Sequence, residues 1–294
     1  MAIATSTRKS EQIHTLDIRS NLRDLKDYLQ NLKGSKIITI EECPAAQWLY
    51  VELADYVNYI LICDPYRNRL LSDGPKDDLH DAKNLCLLLK NGLLKEVFHT
   101  HNSLFELRKY VSGYEDIIKA GVRIKNQRSS IFRSEGKNFR KESTESEVNN
   151  FIVGILDKNI EIYEEDKKQY QSLFSKIARR NTQLRNLRKI PGIEVVSAVK
   201  ILANVIDAKR FPKKGNFLAY CGLVKHKRIS GQKTYGLRNP RCNRTLKSVY
   251  KTAALVAITV NNNPIKDYYE YLLGKGVEEH NAELVNRNET KNNI

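Results

Sequence analysis

Two long stretches of this chain keep apolar residues at spacings of three and four. Leu104, Leu107, Val111, Tyr114 and Ile118 form the first; Val148, Ile152, Ile155 and Ile162, followed by Tyr170, Leu173 and Ile177, form the second. That period lines one face of an α-helix and suits no strand. Between the two lies Arg133–Glu145, polar and rich in Gly, Ser and Lys, which reads as a hairpin tip or a loose linker. Asn159 and Asp166 interrupt the apolar repeat. An antiparallel coiled coil, an intermolecular coiled coil and an ordinary hairpin packed on its own domain therefore all stay open for residues 101–186. Such a hairpin divides the chain into a part before it, 1–100, and a part after it, 187–294, and 294 residues suffice for two domains with real cores.

The first part reads as α/β. Ala2–Thr5 and Ile13–Ile18 look like strands. Asn21–Leu32 has helical spacing (Leu22, Leu25, Leu29, Leu32) and stops near Gly34. Lys36–Ile40 alternates as a strand, Ala45–Ala54 reads as a helix, Val57–Cys63 as a strand and Asp78–Leu89 as a helix. This order matches an RNase H-like fold entered one strand late. The third part reads as mainly helical with loops. The expected fold class is thus α/β plus α.

Charge is segregated along the chain. Between Lys176 and Lys251 there are 20 Lys and Arg against two acids, Glu194 and Asp207, while the rest holds 30 bases and 32 acids. One segment therefore carries the whole net charge of +16. Segregation this sharp points to a polyanionic partner, DNA or RNA, rather than to a generally soluble surface. No apolar run approaches the roughly 20 residues of a membrane span, and Met1–Thr5 is too short and wrongly flanked for a signal peptide. The five cysteines, Cys43, Cys63, Cys86, Cys221 and Cys242, are scattered without a CxxC pair. They fit a reduced cytoplasm better than a disulfide scaffold or a zinc site.

Two groups of residues could carry chemistry. Glu41 and Glu42 end a probable central strand, and Asp78 and Asp81 stand one turn apart on one helix face. Carboxylates converging from a strand end and a neighbouring helix can hold Mg²⁺ or Mn²⁺ for phosphodiester chemistry. Either group alone is equally consistent with solvated acids. In the basic part, Pro191-Gly192 forms a tight turn before an apolar helix, either a structural turn or one presenting amides to a phosphate. Lys225–Gly231 reads as a cationic, glycine-bearing loop containing Ser230, a residue that caps a turn, binds a phosphate or, with a base or metal beside it, attacks one. A helix from Arg244 follows, with Leu246, Val249, Tyr250 and Ala253 on its apolar side and Arg244, Lys247 and Lys251 opposite.

Several motifs taken in order carry a resemblance. Glu41-Glu42 precedes Trp48-Leu49-Tyr50; Cys63-Asp64-Pro65-Tyr66-Arg67-Asn68 follows, then Lys76 to Leu85 with its Asp78-Leu79-His80-Asp81-Ala82 run. Later come Ile190-Pro191-Gly192-Ile193, Arg210-Phe211, Tyr220-Cys221-Gly222-Leu223-Val224, Ser230-Gly231, Leu246-Lys247 and Ala253-Ala254. Together these resemble the DEDD-type insertion-sequence transposases of the IS-one-ten group, which includes the Piv invertases, over roughly Ala2–Leu273. The resemblance implies a RuvC-like domain at 1–100, the hairpin at 101–186 and a basic helical transposase domain at 187–294. It implies a DNA recombinase with Glu41, Asp78 and Asp81 as ligands of Mg²⁺ or Mn²⁺, Glu42 competing with Glu41 for that role. It implies Ser230 as the nucleophile forming a covalent phosphoserine link to DNA. It also implies a structured guide (bridge) RNA, a homo-oligomer (dimer or tetramer), and a prokaryotic, nucleoid-associated location in the cytoplasm. In that family a first strand carrying a further Asp precedes Ala2–Thr5, so the chain reads as truncated there, and Asp17 is a poor substitute. The polar stretch Glu283–Ile294 departs from the family's usual C-terminal helix.

The residues expected to meet nucleic acid are Lys225, Lys227, Arg228, Lys233, Arg238, Arg241, Arg244, Lys247 and Lys251. A chain decayed from such a transposase into a binding protein without catalysis, and a basic scaffold around a coiled coil, are the competing expectations.

Overall fold

The computed structural model describes residues 1–68, 77–101, 103–140, 142–231, 233–238 and 240–279, with backbone alone at 67 and 68. Lys76, Asn239 and Glu283–Ile294 lie outside the described residues. The chain divides into two compact units, Met1–His101 and Asn102–Ile294. No helix among the described residues is long and apolar enough to cross a membrane.

In the first unit, β1 (Ala2–Thr5) pairs antiparallel with β2 (His14–Asp17), Ala2 opposite Asp17 and Thr5 opposite His14. Helix α1 (Leu22–Asn31) starts where the Asn21 side chain accepts the Asp24 N–H at 2.8 Å, so a freed amide is satisfied at the cap. Next, β3 (Ile37–Glu41) is joined through α2 (Ala46–Glu52) to β4 (Tyr59–Cys63), which runs parallel to it in the register Ile37–Tyr59 to Glu41–Cys63. A parallel pair requires such a crossover. The leucines of α1 meet Ile38, Ile40, Leu49, Ile60 and Ile62 in one small core, which explains why the run from Tyr59 to Cys63 is nearly continuous in apolar residues. Short α3 (Pro65–Asn68) follows, then α4 (Asp78–Lys90), which packs against β1, β2 and β3. The strands remain two separate pairs: no described strand hydrogen-bonds β1 or β2 to β3 or β4. The unit is mixed α/β as expected, without a single continuous RNase H-like sheet among the described residues.

The second unit is mostly helical. Helices α5 (Glu106–Ser134) and α6 (Glu147–Arg180) run antiparallel, as the ion pairs Lys125–Glu164 and Arg128–Asp157 require. Their connection is an ordered tip rather than a loose linker: Lys137 pairs with Glu145, and Asn149 donates to Glu135. The pair forms an intramolecular antiparallel hairpin. Near the tip it keeps an uncovered stripe on α6, with Val148 65%, Phe151 70%, Ile155 47% and Ile162 57% exposed.

At the other end of the hairpin, α5 and α6 join α7 (Thr182–Leu187), α8 (Val195–Val205), α9 (Lys214–Tyr220) and α10 (Arg244–Thr259) around one core. Helix α8 is apolar on nearly every side because it sits in the middle of that core. Gly192 explains how closely α10 approaches. A Cβ there would lie 2.1 Å from the Ala253 carbonyl oxygen, and its φ is +80°. The Pro191-Gly192 turn is therefore a packing turn that admits no side chain. After α9 comes a departure from the sequence reading. Lys225–Gly231 is no loop: β5 (His226–Ser230) and β6 (Lys233–Arg238) form an antiparallel hairpin. Both of its faces are exposed, so no inward apolar alternation marked it in the sequence. Helix α11 (Pro264–Gly274), capped by Asn263, is the last helix of the described residues.

Candidate functional site

Glu41 is the last residue of β3, opposite Cys63. Its carboxyl is pushed above the ordinary glutamate range, first by partial burial and then by the negative charge of Asp81. Asp81 lies in the first turn of α4, which packs on β3, so strand end and helix start present two carboxylates to each other. Asp78 shares that first turn and is exposed. Among the described residues no three His, Cys, Asp or Glu side chains gather closely enough to hold a metal ion. The structure thus brings Glu41 and Asp81 together and does not bring Asp78 into a three-ligand group. The donor set nonetheless has the chemistry of a Mg²⁺ site. That ion is commonly held by one or two carboxylates, with water and substrate phosphates completing its shell.

Glu42 is engaged elsewhere. Its Oε2 lies 2.6 Å from Nε2 of His99, whose side chain is almost wholly buried. The other His99 nitrogen meets Gln47 Oε1 at 2.8 Å, and Gln47 donates to the Thr100 carbonyl at 2.9 Å. With Gln47 oriented by Thr100, its oxygen accepts from His99 Nδ1. This chain of bonds ties the residue after Glu41 to the segment that closes the unit. No spacing rule could have found His99, which lies 57 residues from Glu42. Asp17 is exposed and pairs with the N-terminal ammonium at 2.7 Å.

In the second unit, Ser230 ends β5 immediately before Gly231, which turns the chain with φ at 58°. The register fixes its neighbours. Ser230 faces Lys233 across the ribbon, Lys227 faces Leu237, and the register shifts between Lys227 and Ile229. Cross-strand partners share a face, as do alternate residues of one strand. Along β5, His226, Arg228 and Ser230 therefore share one face with their partners Arg238 and Lys233, and Lys227 and Ile229 share the other with Leu237 and Thr234; β6 takes the extra residue, at Tyr235–Gly236, between Thr234 and Leu237. The Ser230 side chain makes no hydrogen bond among the described residues, so it does not serve as a turn cap.

The cations around Ser230 have few acids near them in the sequence. Lys26, Lys125, Arg128, Lys137 and Lys200 are each paired with an acid. Lys225, Lys227, Arg228, Lys233, Arg238, Arg244, Lys247 and Lys251 have no ion pair among the described residues. Arg241 does make an interaction. The cause is compositional: Glu194 and Asp207 are the only acids between residues 176 and 251, and Asp207 caps the Lys209 amide at 2.9 Å. On α10, Arg244 and Lys251 are exposed and Lys247 is half-buried, with Leu246, Val249, Tyr250 and Ala253 buried on the opposite side.

Residues 184–270 match the family model described as the Transposase IS116/IS110/IS902 family. The match covers less than a third of the chain, lies within the second unit, and includes α8, the hairpin with Ser230, and α10. No curated protein matches the chain.

Proposed function

We propose that this protein is a DNA transposase that cleaves and exchanges strands, with Ser230 as nucleophile and Glu41 and Asp81, joined by Asp78, as holders of Mg²⁺ or Mn²⁺. One observation carries the reading. The segment similar to transposases contains an exposed serine whose side chain has no partner among the described residues, on a ribbon whose cations have no ion pair among them either. An unneutralised basic surface favours the phosphate backbone. An exposed hydroxyl at the turn of that ribbon suits attack on a phosphodiester.

In the proposed step the Ser230 oxygen bonds to phosphorus and the bond from phosphorus to one sugar oxygen breaks. The serine proton passes to solvent or a base, and the departing sugar oxygen gains one. A sugar hydroxyl of another strand then attacks the phosphoserine, restoring the serine and joining the strands without an external energy source. When bound, the metal would supply electrostatic stabilisation of the phosphoryl oxygens. The Glu42–His99–Gln47 chain of bonds keeps the end of β3, and with it Glu41, in place.

The nine cations from Lys225 to Lys251 hold backbones and carry no base-reading pattern, which suits a guide RNA that selects DNA by pairing. The uncovered α6 stripe is the proposed contact for a homo-oligomer. The test is strand exchange with Mg²⁺, DNA bearing the flanks of the gene, and RNA transcribed from those flanks. Exchange should require the metal and fail in Glu41→Gln and Asp81→Asn. Products insensitive to both substitutions overturn the carboxylate assignment. Binding without any exchange by the wild type leaves a nucleic-acid-binding protein and overturns the enzyme reading.

A further inference from the structure

The β5–β6 hairpin packs on no other element to any extent among the described residues. All its described residues are exposed, among them three large apolar side chains, Ile229 at 62%, Tyr235 at 67% and Leu237 at 60%. A lone two-stranded ribbon is marginal in water, and three solvated apolar side chains on it do nothing for folding. The ribbon also carries Lys227, Arg228, Lys233 and Arg238 and no acid. A protein partner with an apolar groove would leave those four charges without counter-charge. A nucleic-acid strand satisfies both features.

We propose that this hairpin grips single-stranded DNA, with Tyr235 stacking on an unpaired base next to the phosphate that meets Ser230. The proposal rests on the recombinase reading for the role of Ser230 and adds a base-holding residue to it. The register supplies the geometry. Lys233 stands directly across from Ser230, and Tyr235 is the next residue on that face, a diagonal neighbour about 7–8 Å from the serine. Lys233 and Arg228 flank the same face, where a backbone passing Ser230 would run. Only an unpaired base exposes a face to an aromatic ring; in a duplex, the neighbouring pairs cover both faces. Gly236, whose φ is +120°, has open space where a side chain would be, so the strand stays unobstructed beside Tyr235.

The test compares wild type with Tyr235→Phe and Tyr235→Ile by equilibrium binding of a twelve-nucleotide single strand containing 2-aminopurine, and of its duplex, at several salt concentrations without metal. Isoleucine keeps strand preference while removing the ring, and the exposed position makes unfolding of either variant readily excluded by its melting curve. Tyr235→Ile should lose about 5- to 150-fold in single-strand affinity, the range for one stacked base. The 2-aminopurine quenching should weaken, and duplex affinity and salt slope should stay within about twofold. Tyr235→Phe should behave as wild type. Equal losses on single strand and duplex would place the hairpin in a duplex groove and overturn the proposal. So would unchanged single-strand affinity, or a phenylalanine variant as weak as isoleucine. Because these measurements read no cleavage, loss of the Ser230 chemistry and loss of the stacking are separately visible.

Discussion

Replacing Arg244, Lys247 and Lys251 together by Gln tests whether the free cations form a phosphate-binding surface. The three lie along one side of α10 over seven residues, about 10 Å of helix. Gln retains helix preference, and retains most of the Lys247 stem, which packs beside Gly222 and Cys242. The buried side of the helix, Leu246, Val249, Tyr250 and Ala253, is untouched, so the melting temperature should barely move. Each phosphate neutralised on duplex DNA contributes about −0.9 to the slope of log K against log salt. Loss of three contacts should reduce the slope's magnitude by about 2.7. Between 50 and 200 mM salt the variant should then lose about 40-fold less affinity than wild type loses. Filter binding on a non-specific duplex across that range, with melting curves alongside, reads both quantities. A folded variant with an unchanged slope would remove α10 from the interface and refute the reasoning.

Three further outcomes follow from particular side chains. Glu41 is held above its unfolded proton affinity, so the stability it contributes is full below the ordinary glutamate value of about 4.3 and is lost as pH rises through the raised folded value. Glu41→Gln should therefore raise stability at neutral pH, by at most about 1 kcal/mol for this partly solvated group, while weakening Mn²⁺ binding in calorimetry; a less stable variant would contradict the repulsion from Asp81. The Tyr250 hydroxyl is buried without a hydrogen-bond partner, so Tyr250→Phe should stabilise the second unit by about 1 kcal/mol, seen as a rise of roughly 2–4 °C in melting temperature, and a fall would show that the hydroxyl is satisfied. Phe151→Glu with Ile155→Glu places charge in the uncovered α6 stripe and should convert an oligomer to a smaller species in light scattering without changing helicity; an unchanged mass would move the oligomer contact elsewhere.

The helical elements were legible because their signals are local. The α5–α6 periodicity, the Asn21 cap and the stop near Gly34 each act within a few residues, and the structure places α1, α4, α5 and α6 close to where those signals put them. The β5–β6 hairpin was not legible because a ribbon exposed on both faces has no alternation to read. At the carboxylate site, helical spacing put Asp78 and Asp81 on one helix, but only the packing of α4 on β3 shows that Asp81 is the one facing Glu41. The role of Glu42 was hidden for the same reason: its partner His99 is distant in sequence and joined to it only by the fold.

The central claim is chemical, and one gel tests it most directly. Wild type and Ser230→Ala are incubated side by side with Mg²⁺, end-labelled DNA bearing the flanks of the gene, and RNA transcribed from them, then denatured and resolved. The wild type should retain label in a protein-sized band, and peptide mapping should place the nucleotide on Ser230. The alanine variant removes one exposed hydroxyl that makes no hydrogen bond among the described residues, so it should fold and bind with the same salt dependence yet show no band. An adduct persisting in Ser230→Ala, or cleavage by wild type with no adduct at all, would contradict the account.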